Sequence, residues 1–209
     1  MITNRKIVVA SILIVIVMIL ISFLNRHYTN QNTSIKLNNN IRIIPTFQYK
    51  LDVKKIDTND IVVKIRTSEE LKQSNKSIAL DAKVVKVLQG NIDAKKISIY
   101  DKNTYYTDNI NIQDISIYSN NILLPNKEYY VILEKLPKKF FYMENNSYRL
   151  KDDLSVFDSN FDSNYILAYE NKNYTLKEVK NILYIFTDKD QIKEYLSRKY
   201  VLKNCKISY

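Results

Sequence analysis

Residues 7–24 read IVVASILIVIVMILISFL, a run without a single charge. As a helix rising about 1.5 Å per residue, such a run reaches about 27 Å, close to the hydrocarbon thickness of a bilayer. A helix buried in a soluble core would keep a polar stripe, and none recurs here. The pattern therefore predicts a membrane-spanning helix. Arg5 and Lys6 precede it, as expected of an end held in the cytoplasm, although Arg26 follows closely. A cleaved signal peptide would need small residues at spaced positions after the apolar run. The stretch Ile21, Ser22, Phe23, Leu24, Asn25, Arg26 does not supply them. The expectation is an uncleaved anchor, residues 1–24 with the cytoplasmic stub, followed by a polar stalk over 25–40.

From about Ile41 the hydrophobic period shortens to that of strands. Residues 61–66 (IVVKIR) are rich in β-branched side chains and follow a turn cluster, Asp57, Thr58, Asn59 and Asp60. In residues 78–88, Ile78, Leu80, Ala82 and Val84 share a face, with Asp81 and Lys83 opposite. Val85 and Val87 then move the apolar set to the other face, which predicts a bulge or bend. KISIY at 96–100 and DISIY at 114–118 are two similar strands. EYYVILEKL at 128–136 carries the most pronounced strand signal, and 140–143, 148–150 and 165–169 follow as further strands. Residues 101–112 read as a polar loop and 67–77 as a loop or helical turn. Short strands at this spacing, without helices between them, predict a barrel or sandwich. Val84, Val87, Val131 and Leu133 are the expected core residues.

The C-terminal pattern changes again. Thr175 and Glu178 have capping-box spacing, predicting a helix over about 176–184. A second helix is expected after Thr187-Asp188, with Ile192, Tyr195, Leu196 and Tyr200 inward and Lys193, Glu194, Arg198 and Lys199 outward. The fold class is thus mainly β with C-terminal helices: a β-barrel-like unit over 41–170 and a helical appendage over 171–209. The stripe of the last helix suits packing on the sheet more than binding a partner.

Composition narrows the chemistry. Gly90 is the only glycine, which excludes glycine-rich phosphate loops and dinucleotide fingerprints. Turns with positive φ fall to Asn and Asp. One cysteine, Cys205, and one histidine, His27, exclude an internal disulfide and a Cys/His zinc site. An exported domain without disulfides points to a Gram-positive bacterium. The net charge is +10; setting aside Arg5 and Lys6 leaves +8 on the remainder. That charge suits an anionic lipid headgroup or envelope polymer. The lysines are dispersed among acids along the chain, so plain solubility is the better reading of them. Nucleic acid would lie on the wrong side of the membrane.

No catalytic constellation stands out. His27 belongs to the membrane surface, not to a domain pocket. Asp152, Asp153, Asp158 and Asp162 cluster in sequence, but acids in a polar loop are ordinarily solvated. Residues 158–164 (DSNFDSN) alternate oxygen ligands like a calcium loop. Ser163 stands where that loop needs glycine, and Tyr169 where it needs glutamate, so a plain Asx-rich loop is the better reading. Catalytic, cofactor-binding and metal-ligating residues are therefore all expected to be none. Seventeen tyrosines without tryptophan fit strand packing better than a sugar-stacking face, since the adjacent Tyr129 and Tyr130 must point to opposite sides. An exported hydrolase or transferase using Asp or Ser residues is the alternative to a non-catalytic binding or assembly module.

DIVVKI at 60–65, VVKVLQG at 84–90, ISIY at 97–100 and LLPNKEYYVILEKL at 123–136 together resemble the netrin and metalloproteinase-inhibitor type of OB-fold barrel in exported Firmicute proteins. YRLKDDLSVF at 148–157 fits its next strand. The resemblance covers about half the chain and implies a barrel. The eukaryotic inhibitors of that family grip a protease metal through an N-terminal cysteine pair, which this chain lacks, so inhibition is not implied. The expected protein is a single-pass cell-membrane protein, its N-terminus cytoplasmic and its barrel outside. Its partners are the membrane through the N-terminal helix and an unidentified protein or anionic envelope component.

Overall fold

The computed structural model describes residues 12–22, 34–35, 37–47, 50–74, 77–108, 111–118, 120, 122–136, 146–162, 164–169 and 172–207. Residues 12–22 form a helix (α1) whose apolar side chains are all exposed, from Val17 at 45% to Ile19 at 62%. Eleven residues reach about 16 Å. No helix among the described residues is long and apolar enough to cross a membrane. The ends of the apolar run, His27 and the strand expected at 140–143 lie outside the described residues.

Strands follow in chain order: β1 (Ser34–Ile35), β2 (Arg42–Pro45), β3 (Ile61–Ser74), β4 (Ser77–Gln89), β5 (Lys96–Asp108), β6 (Asn111–Ile117), β7 (Glu128–Lys135), β8 (Ser147–Leu150), β9 (Val156–Asp158), β10 (Tyr165–Leu167), β11 (Tyr174–Thr175) and β12 (Tyr184–Phe186). Helices α2 (Leu176–Val179) and α3 (Lys189–Ile207) complete the chain. β3 pairs β4, β4 pairs β5, β5 pairs β8 in parallel, β8 pairs β7, and β7 returns to β3. The ring closes, giving the expected mainly β fold as a five-stranded barrel. Val63, Ile65, Leu80, Ala82, Ile97, Ile99, Val131 and Leu133 are buried in it.

The register of β3 against β4 explains the switch of apolar face. Ile65 pairs Val84 while Lys64 pairs Lys86, so Val85 is an extra, bulged residue. Val131 and Leu133 are buried as expected, but Val84 is only half-buried and Val87 is 38% exposed. The bulge carries Val87 to the barrel rim. Gly90 ends β4 with φ +77°, the conformation glycine adopts freely.

Two expected loops are strands. Residues 67–74 continue β3, with Leu71 opposite Leu80 and Lys72 opposite Ala79; residues 101–108 continue β5, with Tyr105 opposite Ile115. In both, cross-strand pairing overrides a polar local sequence. Beyond the barrel, β6 pairs β5, β2 pairs β6 in parallel and β11 pairs β2. Ser34 and Ile35, within the segment expected to be a stalk, pair with Lys72 and Leu71 of β3.

At the C-terminus the capping box forms: Thr175 Oγ1 accepts from the Glu178 N–H, and Glu178 accepts from the Thr175 N–H at 2.6 Å. The helix nevertheless stops at Val179 instead of running to 184. Tyr184 to Phe186 leave it to pair in parallel with β10, because Tyr184, Ile185 and Phe186 are buried there at 0–1% exposure. α3 docks through Tyr195, Arg198 and Leu202. Tyr195 packs against Phe157 and Tyr184 with ring centres 5.7 and 4.7 Å apart. Leu196 and Tyr200, expected inside, are exposed, and Arg198, expected outside, is buried.

Candidate anion-binding face

Residues 151–155 (KDDLS) link β8 to β9, and both strands pair with β7. The carboxylates in this excursion are buried, contrary to the solvated loop expected of them: Asp152 is 1% and Asp153 2% exposed. Asp152 accepts from the N–H groups of Leu154 and Lys54, from the Ser155 hydroxyl and from Arg198 Nη1. Asp153 accepts from the Asp52 N–H at 2.6 Å. Lys151 donates to Asp60 and to the Lys55 carbonyl. These charges satisfy buried backbone groups and pin residues 52–55 to the barrel. Asp158, half-buried, accepts from the Asn160 N–H at 2.8 Å, forming an Asx turn, and Asp162 is exposed. No group of three or more His, Cys, Asp or Glu placed to hold a metal occurs among the described residues. Cys205 lies in α3.

A different set of charged residues converges on the outer face of β3, β4 and β5. Register places Arg66 directly opposite Lys83, and Lys83 directly opposite Lys96. Lys64 stands opposite Lys86 in the same way. Directly opposite side chains have Cβ atoms about 4.5–5.5 Å apart, and like charges so placed destabilise a sheet. Arg66, Lys83, Lys86 and Lys96 are all exposed.

Two acids border this face, Glu128 directly opposite Arg66 and Asp81 beside the hollow, and each is paired with another lysine. Glu128 pairs with Lys64 at 2.6 Å; this bond first, then the charges of Lys64 and Arg66, holds its carboxyl below the usual range. Asp81 pairs with Lys72 at 2.6 Å and accepts from the Ser98 hydroxyl at 2.7 Å. Among the described residues Lys83, Lys86 and Lys96 have no ion-pair partner. Between the cations lies a hollow of about 340 Å³, with Thr67, Ala82 and Ile97 lining it, Asn126 at one side and the Lys72-paired Asp81 as its one acid.

Thr67 fixes that side. Its hydroxyl donates to the Leu124 carbonyl at 2.7 Å and accepts from the Lys127 N–H at 2.9 Å. Pro125 and Asn126 make the turn between, with Asn126 at φ +57°. Pro followed by Asn at positive φ suits a type II turn. The face thus presents three cations in a row about 4.8 Å apart, the spacing of adjacent strands. Two neighbouring cations can share one phosphate or carboxylate group.

Arg66, Lys83 and Lys96 are far apart in sequence and form no basic run. Only the pairing register assembles them, which is why the charge looked dispersed along the chain. The chain matches no protein-family model, no curated protein and no solved structure.

Proposed function

We propose that this is a membrane-anchored, extracytoplasmic, non-catalytic binding module whose barrel takes an anionic component of the cell envelope. The carrying observation is the Arg66–Lys83–Lys96 row: like charges held opposite one another at a cost to the sheet, with no acid among the described residues in ion-pair contact with Lys83 or Lys96. A surface with no ligand would be expected to intersperse the two signs. The ring order β3-β4-β5-β8-β7, with β5 and β8 parallel, supports an OB-type barrel of the netrin-like kind. OB barrels commonly bind ligands on their second and third strands, here β4 and β5, which carry Lys83 and Lys96.

The exposed apolar side chains of α1 support the anchor, because a continuous apolar surface of that kind is normally covered by lipid or protein. The uncharged run 7–24 has the length of a span, and Arg5 and Lys6 before it suit a start held in the cytoplasm. A hydrolase reading is weakened by the carboxylates themselves, since Asp152 and Asp153 are buried and engaged in structural hydrogen bonds. The test uses the full chain in detergent micelles and long-chain inorganic polyphosphate. Binding at low ionic strength that weakens steeply with salt is expected; no binding at low salt overturns the proposal.

A further inference from the structure

A second hollow, of about 310 Å³, lies on the other side of the turn that borders the basic face. Asn126 lines the first hollow and the next residue, Lys127, lines the second. Thr67 staples this turn to β3, so the two hollows are fixed relative to each other. The volume lies at the lower end of the range for small-ligand sites, about 300–1,000 Å³.

The lining chemistry differs from that of the basic face. Asn160, Asn164 and Asn181 reach it, and their side-chain amides make no hydrogen bond among the described residues. Each amide offers both a donor and an acceptor. The Asn164 backbone is held in place, its carbonyl accepting from the N–H groups of Leu183 and Tyr184 at 2.7 and 3.1 Å. Tyr129 contributes a phenol whose oxygen accepts from the Leu124 N–H at 3.1 Å, and no described residue accepts its proton. Burial first, then the Asp158 charge, pushes this phenol up to about 12, so it remains a neutral donor. Ile182 and Leu183 add apolar surface. The two cations among the lining residues, Lys127 and Lys180, are balanced by two carboxylates, Glu128 and Asp158, which suits a neutral sugar ring in this hollow and leaves the anionic group to the basic face.

Paired donors and acceptors beside apolar surface match a ring bearing several hydroxyls, because every hydroxyl both donates and accepts. A simple phosphate chain would use none of the amide acceptors. Resting on the polyanion reading above, we propose that the ligand is an anionic glycan. One sugar ring sits among Asn160, Asn164 and Asn181, and a phosphate or carboxylate of the same polymer crosses the turn to Lys83 and Lys96.

The experiment measures affinities of the full chain in micelles for four probes: polyphosphate, dextran, polygalacturonate and phosphorylated dextran. The two charged glycans separate carboxylate from phosphate as the anionic group. The double variant Asn160→Ala/Asn181→Ala, altered at exposed positions, is expected to bind at least one charged glycan about tenfold more weakly, the equivalent of two ordinary hydrogen bonds. Its polyphosphate affinity should not change. Unchanged affinity for both charged glycans overturns the sugar site while polyphosphate binding leaves the basic face standing. Dextran binding as tightly as the charged glycans also overturns it. Loss of polyphosphate binding by the wild-type chain would instead count against the proposed function.

Discussion

Replacing Asp152 with alanine removes the acceptor of four hydrogen bonds: the Leu154 N–H at 3.0 Å, the Ser155 hydroxyl at 2.6 Å, the Lys54 N–H at 2.9 Å and Arg198 Nη1 at 2.6 Å. Arg198 is 6% exposed, and its Nε and Nη2 already lack partners among the described residues. The variant therefore strands a buried guanidinium, which costs about 3–5 kcal/mol. For a chain of this size the unfolding midpoint should drop by about 6–20 °C. Arg198→Met does the reverse. It leaves the carboxylate with its three other donors and removes two unmet ones, so the loss should be about 1–2 kcal/mol. The double variant should be more stable than Asp152→Ala alone, since the methionine removes the stranded charge. Urea and thermal unfolding of all four proteins measure the cycle. A cost for Arg198→Met equal to that of Asp152→Ala, or strict additivity in the double variant, refutes the reasoning.

Three further outcomes follow. Leu133→Ala, in the barrel wall at 2% exposure, should cost about 2–5 kcal/mol, whereas Val87→Ala at the 38% exposed rim should cost less than about 0.5 kcal/mol by urea unfolding. Gly90→Ala should destabilise by about 1–3 kcal/mol, because φ is +77° and the added Cβ would lie 2.6 Å from the Asp60 carbonyl oxygen; wild-type stability would mean that this turn relaxes freely. The Arg42 guanidinium hydrogen-bonds Asp114 and holds its carboxyl below the usual range, tying β2 to β6. Its contribution is complete above the ordinary Asp value near 3.9 and is lost as pH falls through the lowered folded value. Protection of the β2 amides, measured relative to the intrinsic exchange rate at each pH, should therefore fall in acid, and Arg42→Gln should show that lower protection already near neutral pH.

The barrel strands were readable because Ile, Val and Tyr alternate within them, and the bulge at Val85 was visible as a change of apolar face. The extensions of β3 and β5 were not, since polar stretches such as 72–74 are strands only by virtue of their partners. Local capping correctly placed the start of α2. It said nothing of the parallel pairing that draws Tyr184 to Phe186 away from the helix. Arg198 looked like a surface cation because its buried partner, Asp152, is 46 residues away. The basic row escaped for the same reason: opposition across strands depends on register, and the bulges that set register leave only a faint mark in sequence.

The proposed polyanion binding rests on Lys83 and Lys96, and not on the overall charge of +10. The direct measurement compares Lys83→Glu/Lys96→Glu with Lys177→Glu/Lys203→Glu, an equal charge change at exposed positions on α2 and α3. Both are titrated with inorganic polyphosphate at one fixed low ionic strength. The first pair is expected to lose affinity by more than about tenfold while the second stays within about threefold of wild type. Equal losses in the two variants would contradict it, leaving net charge as the whole cause of binding.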